Sequence, residues 1–186
     1  MRNWPVLVIR APYTGLQRIL LVTDGSTHSE HAMDYLARFS IPADAAVRVA
    51  HVLPPFPWSN TLIALRPATP NMLAQLPSGE VEEVIAWQAE EEERQGQTLL
   101  AQMLERLRSH GVEASSVLLR GDAATEIIEY VKTNQIDLIV SGSRGLSEVR
   151  GWLLGSVSRK LVHYAGCSVL VVKRRDPLFQ TVAQSR

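Results

Sequence analysis

The sequence predicts an α/β fold in which helices cover both faces of an open, mainly parallel β-sheet, giving three layers. Short apolar runs of strand length alternate along the chain with stretches of helical periodicity. Several of these runs are continuous rather than alternating, which is typical of strands buried on both faces of a parallel sheet. Hydrophobic residues make up 46% of the 186 residues and charged residues 20%, which is enough for one sizeable core.

Five strands and four helices are predicted in alternation, with right-handed crossovers between parallel strands. The predicted strands span residues 18–24, 46–53, 116–119, 136–140 and 168–172. The predicted helices span residues 30–39, 80–110, 123–133 and 156–164. Hydroxyl side chains at 26–29 are expected to cap the first helix, and Gly111 is expected to end the second. The inward-facing side chains predicted for these first two helices are Ala32, Tyr35, Leu36, Phe39, Val84, Trp87, Leu99, Met103, Leu104 and Leu107.

Two further segments flank or interrupt this pattern. The apolar run 6–9 resembles the predicted strand 168–172, so we expect an extra N-terminal strand that adds to a sheet edge, within the chain or across a dimer. Residues 54–79 carry six prolines, which predicts a long insertion that is either a lid or a solvated loop. The expected organisation is an extension over 1–17, one domain over 18–175 that contains the insertion, and a tail over 176–186.

The composition excludes several classes of function. Lys plus Arg and Asp plus Glu number 19 each and the pI is about 7.0, so the basic excess expected of a nucleic-acid or anionic-membrane binder is absent. A single cysteine excludes an internal disulfide framework. The N-terminal apolar run is too short for a signal peptide or a membrane span. We therefore expect a cytoplasmic protein.

One loop carries the chemistry. Gly142 and Gly145 follow the predicted strand 136–140, and Gly155 and Ser156 open the helix 156–164. Glycines allow positive φ and close approach to a ligand, and consecutive backbone N–H groups with a helix N-terminus attract anions. The hydroxyls of Ser156 and Ser158 and the guanidinium of Arg144 are further donors to an anion. The loop therefore predicts a phosphate site, although isolated glycines also serve simply as turns and caps. It is neither a Walker A loop nor a dinucleotide fingerprint.

The spacing Gly142-x2-Gly145-x9-Gly155-Ser156 resembles the ATP-binding signature of the universal stress protein family. The runs 19–26, 51–52 and 167–172 resemble other motifs of that family, and the resemblance covers roughly residues 18–175. It implies a Rossmann-like sheet of five mainly parallel strands with the topology of adenine-nucleotide-binding hydrolases, plus the extra N-terminal strand. Two departures are Ser168, where the family usually has proline, and Trp152, where it mostly has an aliphatic or basic residue.

The resemblance also implies ligands and a partner. ATP, ADP or AMP is the implied ligand. Independently of the resemblance, Asp24 and Asp122 each follow a predicted strand and are candidate Mg²⁺ contacts, because Mg²⁺ favours carboxylate together with phosphate oxygens. A homodimer is implied through the strand Ser168–Val172, together with the strand Val6–Ile9. The implied nucleotide contacts are Val22, Thr23, Asp24, Val52, Ser141, Gly142, Arg144, Gly145, Gly155, Ser156, Val157 and Ser158.

Three functions remain open at this point. The first is an ATP-binding switch or adaptor in stress response, with slow or no hydrolysis. The second is a weak ATPase or a protein that phosphorylates itself on a loop Ser or Thr. The third is a nucleotide-free dimeric chaperone-like module. No general base is recognisable near the predicted phosphates, so we assign no catalytic residue, and no set of side chains has the spacing of a metal centre.

Overall fold

The computed structural model describes residues 5–11, 15–56, 78–145 and 154–173, and in the third range it describes side chains from residue 83 onward. Among these residues the sheet has six strands: β1 (Val6–Val8), β2 (Arg18–Thr23), β3 (Ala46–Leu53), β4 (Ala114–Arg120), β5 (Leu138–Gly142) and β6 (Ser168–Val172). The helices are α1 (Thr27–Ala37), α2 (Ser78–Ser109), α3 (Ala123–Thr133) and α4 (Ser156–Tyr164). Residues 57–77, which hold most of the proline-rich insertion, lie outside the described residues, as do Trp152 and the tail from 174.

The strand order across the sheet is β1-β6-β5-β2-β3-β4. The chain builds β2, β3 and β4 outward in one direction and then returns to place β5 against the other side of β2. All these pairs and the β5–β6 pair are parallel, and only β1 is antiparallel, on β6. The predicted α/β fold with an extra N-terminal strand is therefore confirmed. The reversal of strand order between β2 and β5 is the switch point at which ligands bind in open parallel sheets.

The extra strand pairs within the chain, since Val6 lies opposite Val171 and Val8 opposite Val169. A dimer contact through Ser168–Val172 would need this same edge of β6, which β1 occupies. The dimer itself stays a prediction.

Two apolar cores lie on opposite faces of the sheet. On one face α1 and α2 pack on alternate residues of β2, β3, β5 and β6, with Leu36 and Leu107 fully buried. On the other face α3 and α4 pack on the intervening residues, with Ile127 and Leu161 fully buried. Because β2 and β5 lie inside the sheet between these cores, they are hydrophobic on both faces, which explains their continuous apolar runs.

The ends of the helices follow local rules. The Ser26 hydroxyl accepts a hydrogen bond from the Ser29 N–H and caps α1, as the sequence predicted for 26–29. After α2, Gly111 has φ of +79° and its N–H donates to the Arg108 carbonyl at 2.8 Å, so its predicted capping role is confirmed.

The buried line of α2 agrees with the prediction at Met103 and Leu107, with Leu99 and Leu104 partly buried, but differs from it in the first half of the helix. Val84 and Trp87 are 56% and 66% exposed, whereas Ile85 is only 5% exposed. The buried line runs from Ile85 through Gly96, and a β-carbon on Gly96 would lie 2.8 Å from Leu118 Cδ1. The helix can pack this close to the sheet because glycine has no side chain. For the same reason, Gly96 gives no apolar signal in the sequence. The prediction for α1 was also wrong at Tyr35, which is exposed, and it missed Met33, which is buried.

The single cysteine yields a chemical test of this core. Cys167 is 8% exposed, and burial raises the pKa of its thiol from 9.0 to about 11. Since the thiolate is the reactive form, we expect native Cys167 at pH 8 to react with iodoacetamide about 100-fold more slowly than the unfolded chain, from this two-unit shift alone. Mass spectrometry of protein quenched at timed intervals, with and without denaturant, measures both rates. Equal rates would contradict the burial of this thiol.

Within the described parts of the chain, no helix is long and apolar enough to cross a membrane.

Candidate functional site

A cleft of about 130 Å³ opens where β2 and β5 end, at the switch point of the sheet. Every nucleotide contact predicted from the sequence lines it: Val22, Thr23, Asp24, Val52, Ser141, Gly142, Arg144, Gly145, Gly155, Ser156, Val157 and Ser158. Three lining residues were not predicted, namely Ser29 of α1 and Ala123 and Ile127 of α3. The fold therefore brings all the predicted residues together, while their contact with a ligand stays a prediction.

A network of hydroxyl groups holds the turn that carries Asp24. The Thr23 hydroxyl accepts from the Gly25 N–H at 3.2 Å and donates to the Ser29 hydroxyl at 3.0 Å. The Ser29 hydroxyl donates in turn to the Ser26 carbonyl at 2.8 Å, and one Asp24 carboxylate oxygen accepts from the Ser26 N–H at 3.1 Å. Gly25 has φ of +75°, which favours glycine at this point of the turn. The network thus holds the turn, and the Ser26 N–H orients the Asp24 carboxylate.

The glycines of the loop do not have the positive φ that the sequence predicted, while their close approach to a ligand stays a prediction. Gly142, Gly145 and Gly155 all have φ outside the left-handed region. Gly142 is the last residue of β5, and a β-carbon there would lie 2.7 Å from the backbone carbonyl of His28 in α1. A β-carbon on Gly145 would collide with the carboxylate of Asp24. These two glycines therefore allow close packing of α1 and of Asp24 against the strand and its loop.

The N-terminus of α4 faces the cleft without a side-chain cap. Gly155 is its N-cap residue, and the Gly155 N–H donates to the Ser143 carbonyl at 2.8 Å, which anchors the start of the helix. In contrast, side chains cap α1 and α3. Because N–H groups in the first turn of a helix have no intrahelical acceptor, the α4 N-terminus presents free donors and a partial positive charge to the cleft.

The hydroxyl of Ser158 has a role that differs from the prediction. It donates to the Gly142 carbonyl at 2.7 Å, and the Ser141 hydroxyl donates to the same carbonyl at 3.0 Å. Both side chains are buried, whereas Ser156 is exposed. Of the two hydroxyls predicted to donate to an anion, Ser156 is the one that remains accessible, and Ser158 joins β5 to α4.

Asp122, a predicted Mg²⁺ contact, serves a structural purpose. Its carboxylate caps α3 by accepting from the Thr125 N–H at 3.1 Å and the Thr125 hydroxyl at 2.7 Å. These hydrogen bonds, with a smaller effect of Lys160 at 3.5 Å, lower the pKa of the carboxyl. Asp122 does not belong to the cleft lining. Across the described residues, no group of three or more His, Cys, Asp or Glu side chains has the arrangement of a metal site.

The cleft is lined by both apolar side chains and polar groups. Apolar side chains come from the ends of β2 and β3, from α3 and from α4: Val22, Val52, Ala123, Ile127 and Val157. The same lining includes the Asp24 carboxylate, the loop backbone and the α4 N-terminus. Such a cleft suits a ligand that combines a flat apolar group with an anionic group.

Comparisons with known sequences agree with the motif-based resemblance. The Universal stress protein family model matches residues 15–173. Universal stress protein YxiE of Bacillus subtilis is 28% identical over 156 residues, which cover 84% of this chain and 98% of YxiE. Universal stress protein MJ0531 of Methanocaldococcus jannaschii is 29% identical over 167 residues, which cover 90% of this chain and 88% of that protein.

Solved structures share the fold. The structure of the hypothetical protein MJ0577 superposes with a TM-score of 0.67 at 22% identity, over 86% of this chain and 97% of that one. A universal stress protein in complex with cAMP superposes at 0.54 and 20% identity, over 86% and 98% of the two chains. The Arabidopsis thaliana family protein At3g01520 with AMP bound superposes at 0.58 and 20% identity, over 86% and 92%. With the family match spanning most of its length, the chain belongs to the universal stress protein family.

Proposed function

We propose that the cleft binds an adenine nucleotide, ATP or its products ADP and AMP, and that the protein acts as a nucleotide-responsive switch or adaptor in stress response. The observation that carries this proposal is the uncapped N-terminus of α4, which meets the cleft beside the loop of Gly142 and Gly145. A phosphate group would accept hydrogen bonds from the free N–H groups of that helix and take the place of the missing cap.

The elements that supply the lining orient the proposed ligand. The base lies against the apolar side chains of Val52 and Ile127, which line the cleft from β3 and α3. The ribose lies next to Asp24, because a carboxylate accepts hydrogen bonds from sugar hydroxyls. The phosphates then reach the loop and the first turn of α4, where Ser156 adds an accessible hydroxyl. The two solved family structures with cAMP and AMP support an adenine nucleotide as the ligand class.

If Mg²⁺ accompanies the phosphates, Asp24 is the residue suited to contact it. Mg²⁺ binds through one or two carboxylates together with phosphate oxygens. Asp24 is the one carboxylate among the described cleft residues, whereas Asp122 is engaged as a helix cap outside the lining. Bound Mg²⁺ would neutralise phosphate charge next to this carboxylate.

The described lining favours retention of the nucleotide over rapid hydrolysis. It contains no histidine, and its carboxylate accepts a backbone hydrogen bond at the Asp24 turn. A water molecule attacking the terminal phosphate therefore finds no dedicated general base among the described lining residues. We accordingly propose slow or no intrinsic turnover, with the nucleotide acting by stabilising one conformation of the loop.

Nucleotide binding is tested by two measurements on the purified protein. Denaturation should release an adenine nucleotide into the supernatant, detectable by chromatography. After nucleotide removal, ATP at 100 times its Kd should stabilise the fold by about 2.7 kcal/mol and raise the Tm by about 5 °C or more. GTP, which carries the same triphosphate, is the matched control for the base. No released nucleotide and no shift with ATP, ADP or AMP would reject the proposal.

A further inference from the structure

Arg10 links the N-terminal strand to the helix that forms the proposed phosphate end of the cleft. It follows β1, and its backbone N–H donates to the Ser168 hydroxyl of β6 at 3.3 Å. Its guanidinium Nη2 reaches α4 instead, donating to the carbonyls of Val162 at 2.6 Å and His163 at 3.1 Å. One residue therefore ties together β1, β6 and the C-terminal end of α4.

The contact of the Arg10 guanidinium with α4 stabilises the C-terminal end of that helix. The Val162 and His163 carbonyls belong to the last turn of α4, where carbonyl groups have no intrahelical donor. A guanidinium there satisfies these acceptors and places positive charge at the negative end of the helix dipole. Arg10 thus caps the C-terminal carbonyls of α4 from outside the helix, as a basic residue in the last turn can do from within it.

Fixing this end of α4 also fixes the other end. The helix has nine residues and is about 14 Å long. Hydrogen bonds of the Gly155 N–H and the Ser158 hydroxyl hold its start, the fully buried Leu161 holds its middle, and Arg10 holds its end. Without Arg10 the helix would tilt about Leu161 against the two hydrogen bonds at its start, and its N-terminus would shift relative to the cleft.

We propose that β1 is a positioning element of the cleft: Arg10 fixes the C-terminal end of α4 and so holds the N-terminal end of that helix where phosphate binds. That phosphate binds at the N-terminal end of α4 rests on the proposed nucleotide function. Coupling between two sites is reciprocal, so a phosphate bound at the α4 N-terminus stabilises the docking of β1 on β6. Adenosine, which lacks phosphate, does not.

The first test needs no ligand. Arg10→Ala is expected to accelerate hydrogen exchange of the amides in the last two turns of α4, measured by mass spectrometry on peptides covering 156–165. Arg108→Ala is the matched control, because Arg108 also lies in the last turn of a helix and is exposed, pairing with Glu105 of its own helix. Unchanged exchange in Arg10→Ala, or equal acceleration in both variants, would overturn the contact as a positioning device.

The second test separates positioning from general destabilisation. Calorimetric titration of Arg10→Ala should show the Kd for ATP raised about five-fold or more, with the Kd for adenosine changed less than about two-fold. Arg10→Lys, which keeps the charge, should recover part of the ATP affinity. Equal loss for ATP and adenosine, or no loss for either, would overturn the proposal. If the unmodified protein binds no adenine nucleotide, the proposed function fails, and the exchange experiment still decides the role of Arg10.

Discussion

Replacement of Gly145 by aspartate is expected to lower the affinity for ATP about 100-fold or more, because the loop would carry a second carboxylate beside Asp24. A β-carbon at this position also collides with the Asp24 carboxylate, so the Asp24 side chain must shift, an effect that Gly145→Asn would share. Two unit charges 4 Å apart near a protein surface interact by about 4 kcal/mol, and each 1.4 kcal/mol changes a Kd ten-fold. The expected 100-fold loss corresponds to about 2.8 kcal/mol, which is about 70% of that repulsion.

Isothermal titration with ATP, AMP and adenosine measures this effect. The loss should grow with the number of phosphates, and Gly145→Asn, which has nearly the same shape without the charge, should lose less. The far-UV circular dichroism of both variants should match that of the unmodified protein, because Gly145 follows the strand and is only partly buried. Unchanged ATP affinity in Gly145→Asp would show that the phosphates do not lie at this loop.

Gly142→Ala is expected to destabilise the fold by about 3 kcal/mol, with a Tm lower by roughly 5–10 °C. The new β-carbon would lie 2.7 Å from both the carbonyl carbon and the carbonyl oxygen of His28, so the backbone of α1 must move. Gly→Ala changes ordinarily stabilise a protein by about 0.4–1 kcal/mol through the unfolded chain. At Gly142, overpacking against the α1 backbone is the larger effect, so the free energy of unfolding is expected to fall.

Urea unfolding at equilibrium measures the free energy of this change. Gly166→Ala is the matched control, since a β-carbon there would have no atom within 4 Å and its φ is not left-handed. Its stability should stay within about 0.5 kcal/mol of the unmodified protein. If both variants unfold at the same urea concentration, α1 does not pack on Gly142 as described.

The sequence predicted those parts of the fold that depend on local pattern. The bounds of β3, α3, α4 and β6 agree with the prediction, because mainly apolar runs mark the strands and local sequence signals mark the helix starts. The predicted strand 136–140 lies two residues later, at Leu138–Gly142, since the buried run continues into small residues that give no apolar signal. The site residues converge because parallel strands end at one edge of the sheet.

What could not be predicted depends on contacts between distant segments. Ser29 and Ile127 enter the cleft from helix faces and belong to no motif. The need for glycine at 142 arises from α1, more than a hundred residues earlier in the chain. The same holds for Gly96, whose place on the buried line of α2 follows from its approach to Leu118. Packing partners of this kind are set by the tertiary structure, and a single sequence carries no record of them.

Gly155, the N-cap residue of α4, is a position where a substitution can abolish ligand binding with little effect on stability. A serine or aspartate N-cap improves on glycine by only a few tenths of a kcal/mol, so the protein loses little stability by leaving this helix end open. A carboxylate at Gly155 would occupy the N–H groups that we assign to phosphate, and its β-carbon would lie 3.2 Å from Arg144 Cα. If the loop moves by the few tenths of an ångström that this contact requires, thermal melts of variant libraries would score such substitutions as almost neutral. Only a screen that reports ligand occupancy would recognise them as losses.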